Sequence, residues 1–151
     1  MKNLFMFSIQ RIIDRLTGKL IENSADTDIN IAGNQSTPSS AGTFTLTSFS
    51  VPPGSECVIG DVDFGAAAAG TAEVTLTYTN ILGTSSTISR YIYLGAAGFI
   101  NEEHDFVRRP FLAFYNPTIS SAVTVNMNVL SAAASTQYTG NMAYILRTFE
   151  A

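Results

Sequence analysis

The sequence predicts an all-β protein, an eight-stranded antiparallel β-sandwich of jelly-roll-like type, preceded by an N-terminal amphipathic helix. Three observations lead there. From residue 28 onward, apolar residues alternate with hydroxyl and amide residues, the period of a half-buried strand. Turn-forming residues interrupt that alternation at intervals of about 12–15 residues, with no helical period between them, which favours a sandwich or barrel. Only the opening segment departs from this pattern, with apolar residues recurring at steps of three and four.

The strands follow in order. Residues 28–32 form a short first strand. In 43–51, Phe44 and Leu46 share a face and the phase then slips to Phe49 and Val51, which predicts a bulge near Thr47 and Ser48. The run Val51-Pro52-Pro53-Gly54-Ser55 is a turn, and 56–64 is the third strand. In 71–82 the alternation is cleanest, with Val74, Leu76 and Tyr78 inward and Thr75, Thr77 and Thr79 outward. A hairpin through residues 83–86 leads to 87–94. Residues 106–115, 121–130 and 141–149 complete the set of eight, and Pro110 marks the sixth as an edge or bulged strand. The domain plan is an arm over residues 1–22, a linker with a short strand over 23–42, and the sandwich over 43–151.

The arm reads MKNLFMFSIQRIIDRL. Its apolar run is cut by Gln10 and Arg11 and no small-residue cleavage site follows, so a signal peptide is not expected. Basic side chains at four of the first 19 positions exclude a spanning helix, which needs about 20 apolar residues. Phe5, Ile9, Ile12, Ile13, Leu16 and Leu20 would line one helical face, opposite Gln10, Arg11, Asp14, Arg15 and Lys19. Such a face has three possible covers: its own domain's core, a neighbouring subunit, or an anionic lipid surface.

Hydrophobic residues make up 46% of the chain and charged residues 13%, about half the usual charged share. Serine and threonine fill the gap, 15 and 17 of the 151 residues. Charged surfaces keep monomers apart. A surface this poor in charge is expected to be covered by copies of itself or by a partner. Residues 1–22 carry four basic and two acidic side chains, a balance of +2, whereas the remaining 129 carry four arginines and ten acids, a balance of −6. A basic arm on an acidic body implies two different contact surfaces and argues against nucleic-acid binding by the body.

Catalytic chemistry has little to draw on, and the protein is not expected to be an enzyme or to hold a cofactor. Cys57 is the only cysteine and His104 the only histidine, and they are distant in sequence. Cys57, inside an apolar strand, reads as a core residue. The run Asn101-Glu102-Glu103-His104-Asp105 reads as a solvated loop, with a metal site or an acidic contact as alternatives, since it lacks calcium-loop spacing. Asp61 and Asp63 read as part of a polar sheet face. Arg108 and Arg109 are expected to form an intersubunit salt bridge, with Glu102 and Glu103 as acidic partners, and a phosphate or carboxylate contact is the alternative. The stretch from Gly65 to Gly70 has no lysine and is not a phosphate loop. Tyr91, Tyr93, Phe111, Phe114 and Tyr115 fit strand alternation and are expected mostly in the core. Tryptophan is absent, which lowers a sugar-binding reading.

A helical arm, a Ser/Thr/Ala-rich linker and a low-charge body (TAEVTLTYTN, SSAVTVNMNVL, GNMAYILRTF) resemble virion structural proteins. The resemblance is to single jelly-roll capsid subunits and to the small decoration proteins of bacteriophage heads, and it lies in texture and architecture. It implies a capsid or cement protein that is homo-oligomeric, contacts a second capsid protein, and resides in the virion after assembly in the host cytoplasm. The arm would reach a neighbour; five large apolar side chains supply on the order of 10 kcal/mol before ordering costs. The alternative is a receptor- or carbohydrate-binding sandwich, such as the tip of a phage fibre, with its sites on loops.

Overall fold

The computed structural model describes residues 29–80, 82–102, 106 and 109–148. The expected N-terminal helix lies outside them. Two antiparallel sheets face one another. The strands are β1 (Asn30–Ser36), β2 (Gly42–Val51), β3 (Ser55–Ala66), β4 (Gly70–Thr79), β5 (Ser85–Leu94), β6 (Gly98–Glu102), β7 (Leu112–Tyr115), β8 (Val123–Ser131) and β9 (Tyr138–Thr148). One sheet runs β1-β9-β3-β6, with β7 also on β3, and the other runs β2-β8-β4-β5.

There are nine strands among the described residues, not eight. The added one, β6, has its apolar pair Phe99-Ile100 adjacent rather than alternating and follows a Gly/Ala run, so it reads locally as loop. Its pairing is long-range: Phe64 lies opposite Ile100 and Ala66 opposite Gly98. The predicted sixth strand, 106–115, shrinks to β7, because Pro110 has no N–H to give a ladder. β6 and β7 pair with successive parts of β3, residues 62–66 and 56–59. Among the described strands, the chain passes from one sheet to the other between β1 and β2, β2 and β3, β3 and β4, β5 and β6, β7 and β8, and β8 and β9. β1 extends to Ser36 and pairs along its whole length with β9, so this part of the 23–42 stretch belongs to the sandwich.

Alternation places the core. Val123, Val125, Met127 and Val129 of β8 are buried, as are Val74 and Leu76 of β4. They meet Cys57, Ile59, Val62 and Phe64 from β3 and Tyr138 and Met142 from β9. The register of β2 against β8 shifts between Thr45 and Thr47, which brings Leu46 and Phe49 to the same interior. The Asn34 side-chain amide donates to the Leu46 carbonyl at this bulge (3.0 Å), fastening β1 to β2 across the two sheets.

Turn chemistry is equally local. Asn80 Oδ1 accepts from the backbone N–H groups of Leu82 (2.9 Å) and Thr84 (3.0 Å), and Gly83 takes the positive φ that the β4–β5 hairpin requires. At the other end, buried Asn116 donates to the carbonyls of Val51 (3.0 Å) and Ser121 (2.9 Å) and accepts from Thr118 N–H (3.1 Å) and Oγ1 (2.8 Å). The amide is satisfied on every side and ties the β2 end to the β7–β8 loop.

The outer face of the β3 sheet is partly closed. Val58 and Ile145, opposite one another in register, are buried there without joining the main core. Phe106 lies over Gly60, where a Cβ would come within 2.4 Å of its ring.

Candidate functional site

The predicted site residues divide sharply. Phe5, Ile9, Ile12, Ile13, Leu16 and Leu20 lie outside the described residues, as do Glu103, His104, Asp105 and Arg108. Of the expected salt-bridge set, Glu102 ends β6 and is half-buried, while Arg109 is exposed before Pro110. Asp61 and Asp63 flank the core residue Val62 on the outer side of β3, where the register with β9 shifts between Ile59 and Val62. Among the described residues no group of three His, Cys, Asp or Glu side chains could hold a metal ion.

Cys57 is a core residue. Burial, with the Glu56 carboxylate adding to it, pushes its thiol up to about 12, so the nucleophilic thiolate is suppressed. Glu56 itself is buried on the opposite face of β3, beside Arg147 of β9 at 3.7 Å, and the two are directly cross-strand. This pair was not foreseen. Its acid and its base lie 91 positions apart (147 less 56), so only the register of β3 on β9 joins them.

The aromatic residues need a correction. Phe114 is buried and Phe111 and Tyr115 are half-buried, but Tyr91 and Tyr93 are 53% and 67% exposed. The phase of β5 is the reason: Ile92 and Leu94 take the inward positions, so the tyrosines between them point out. That signal was present in Arg90-Tyr91-Ile92-Tyr93-Leu94.

Register then builds a face around them. Tyr93 pairs with Thr71 on β4, and that row continues across the sheet to Leu130 on β8 and Thr43 on β2; Tyr91 pairs with Glu73, and its row continues to Asn128 and Thr45. The two tyrosine rings lie 6.1 Å apart with planes 21° from parallel. Glu73, directly cross-strand from Tyr91, holds its phenol above the ordinary value through hydrogen bonding and charge. Further along, hydroxyl pairs bridge the strands: Thr75 with Ser89 and Thr77 with Thr87, each at 2.9 Å. Thr45 Oγ1 donates to Asn128 Oδ1 at 2.8 Å. The face is therefore a grid of tethered hydroxyls and amides with two aromatic rings and one carboxylate at its β5 margin. A hollow between the β4–β5 turn and residues 117–123 is lined by hydroxyl-bearing residues together with Pro117, Ile119, Ala122 and Val123.

No protein-family model and no curated protein matches the sequence. Among solved structures, the chain is similar to a protein of the infectious bursal disease virus particle, at 13% identity over 80% of this chain and 31% of that one, with a TM-score of 0.46. It is also similar to a family 22 carbohydrate-binding module of Clostridium thermocellum, at 13% identity over 81% of this chain and 86% of that one, TM-score 0.42. A third is the enzymatically active domain of a bacteriophage CBA120 tailspike protein, at 16% identity over 80% and 18%, TM-score 0.35. Virion proteins are thus among the structures this chain is similar to. The chain spans about a third of the length of the virus-particle proteins it matches.

Proposed function

We propose that the protein is a structural component of a virion, a capsid-shell subunit or a decoration protein of phage-head type, acting through contacts between copies and without catalysis. The observation that carries this reading is the poverty of charge on the folded surface. The described residues hold three arginines (Arg90, Arg109, Arg147) and five carboxylates (Glu56, Asp61, Asp63, Glu73, Glu102), and Glu56 is buried. Among the described residues only Arg90 and Arg109 of these are exposed, against eight large exposed apolar side chains. Soluble monomers reverse that balance.

The margin of the sandwich supports the reading. β1 is the terminal strand of its sheet, and Ile29 and Ile31 stand exposed there, Ile31 at 73%. Marginal strands with uncovered apolar side chains are templates for association. The basic residues 1–22 precede this margin and complement the acidic body of a second copy. A second capsid protein is a further partner on this reading, and the virion, assembled in the host cytoplasm, is its location.

The test is the solution mass of the full chain by light scattering after size exclusion, beside Ile31→Asp, Ile12→Asp and a chain lacking residues 1–22. Trimers or larger species in the wild type, lost in the variants while circular dichroism still reports a folded sheet, are expected. Monomers throughout would refute self-assembly.

A further inference from the structure

The β5 margin of the β2-β8-β4-β5 sheet carries more than a shell surface needs. Tyr91 and Tyr93 are held there by backbone phase, not by packing, and Leu130, in the same row with Thr71 of β4 between it and Tyr93, is 57% exposed. Large apolar area left in water on one face, next to positioned polar groups, marks a recognition surface.

We propose that this margin binds a neutral polysaccharide, with Tyr91 and Tyr93 stacking on the C–H faces of sugar rings and Glu73, Asn128 and Thr71 meeting their hydroxyls. The chemistry of the face selects that ligand class. Tyrosine offers a broad, stiff ring at small entropic cost. Glu73 is the direct cross-strand partner of Tyr91, and its carboxylate offers lone pairs to donors such as sugar hydroxyls. Asn128 is fixed by Thr45 and sits directly across from Glu73. The hydroxyls are already tethered in cross-strand pairs, so less order has to be imposed on binding.

Other occupants fit less well. A polyanion would meet Glu73 on a chain of net charge −4. Arg90 offers it little, being in the opposite phase of β5 with its Nη1 donating to the Ser89 carbonyl at 3.1 Å. A second copy packed on the same face by a two-fold axis would bring the equivalent Glu73 carboxylates toward one another. A neutral polyol meets neither penalty. A flat face with two rings holds each sugar weakly, so an extended, repeating chain is the suitable ligand. The proposal stands on this face alone and does not depend on the shell reading.

The test uses the full chain in affinity electrophoresis through xylan, mixed-linkage β-glucan and galactomannan, and in pull-down on cellulose and chitin, with heparin as the polyanion control. Retention by at least one neutral polysaccharide and not by heparin is expected. Tyr91→Ala and Tyr93→Ala should each weaken it by about tenfold or more, the scale of one lost aromatic contact. Tyr91→Phe, which keeps the ring, should retain most of the binding, and Ile31→Ala on β1 should retain all of it. Thermal midpoints near wild type confirm that the exposed positions do not affect folding. Retention by none of the five, or equal retention of the alanine variants, overturns the proposal. A change of solution mass in Tyr93→Ala without any polysaccharide binding would instead make the face a contact between copies.

Discussion

Glu56 and Arg147 are cross-strand partners on β3 and β9, 3.7 Å apart, and the glutamate is wholly buried. At that separation the contact is an ion pair, too long for a hydrogen bond. It sits on the outer side of the sheet, in the phase opposite to Cys57. A carboxylate is tolerated there because a cation stands beside it, since desolvating an isolated charge is far costlier.

Replacing the arginine alone should therefore hurt more than replacing both. Arg147→Ala is expected to lower unfolding free energy by about 3 kcal/mol, whereas Glu56→Leu with Arg147→Met should fall within about 1 kcal/mol of wild type or exceed it. Urea denaturation read by circular dichroism measures both. An Arg147→Ala midpoint equal to wild type would show that the pair contributes nothing.

Gly140 makes a steric prediction. It faces the interior of β9, and a Cβ there would stand 2.4 Å from Met127 Sδ and 2.8 Å from Leu46 Cδ2. Both neighbours are themselves buried, so room has to come from the packing of both sheets. Gly140→Ala should cost about 1–3 kcal/mol, by overpacking. Gly95, where an added Cβ meets nothing within 4 Å, is the matched control, and its alanine variant should unfold close to wild type. Equal midpoints for the two variants would contradict the close approach of the sheets at Gly140.

Cys57 makes a prediction about reactivity and pH. With its thiol pushed up to about 12 from 9.0, the folded state holds the proton more tightly than the unfolded one. The stabilising contribution is complete below the unfolded value and is lost as pH rises from about 9 toward 12. At pH 8 the native thiol should resist a disulfide-exchange reagent, and urea should release one equivalent per chain. Rapid modification of the native protein would place Cys57 in a more open setting than the core.

Much of this fold was legible one strand at a time. Alternation located the faces of β4 and β8, and the slip in phase between Leu46 and Phe49 announced the β2 bulge, because the side-chain period of a strand is two and any departure shows locally. Tertiary structure decided the rest. β6 exists because β3 offers it a partner some 35 residues away, as Phe64 and Ile100 show, and no local period encodes that. Tyr91 and Tyr93 were outward by phase, but whether another layer would cover them depended on which sheet faces the chain crosses. It covers the outer face of β3, with Phe106 over Gly60 and Glu56 buried, and leaves the outer face of β5 with its tyrosines exposed. Alternation tells which side of a strand a residue takes, while burial of that side is set by segments distant in sequence, and that is where Glu56 found its arginine and the tyrosines their place at the surface.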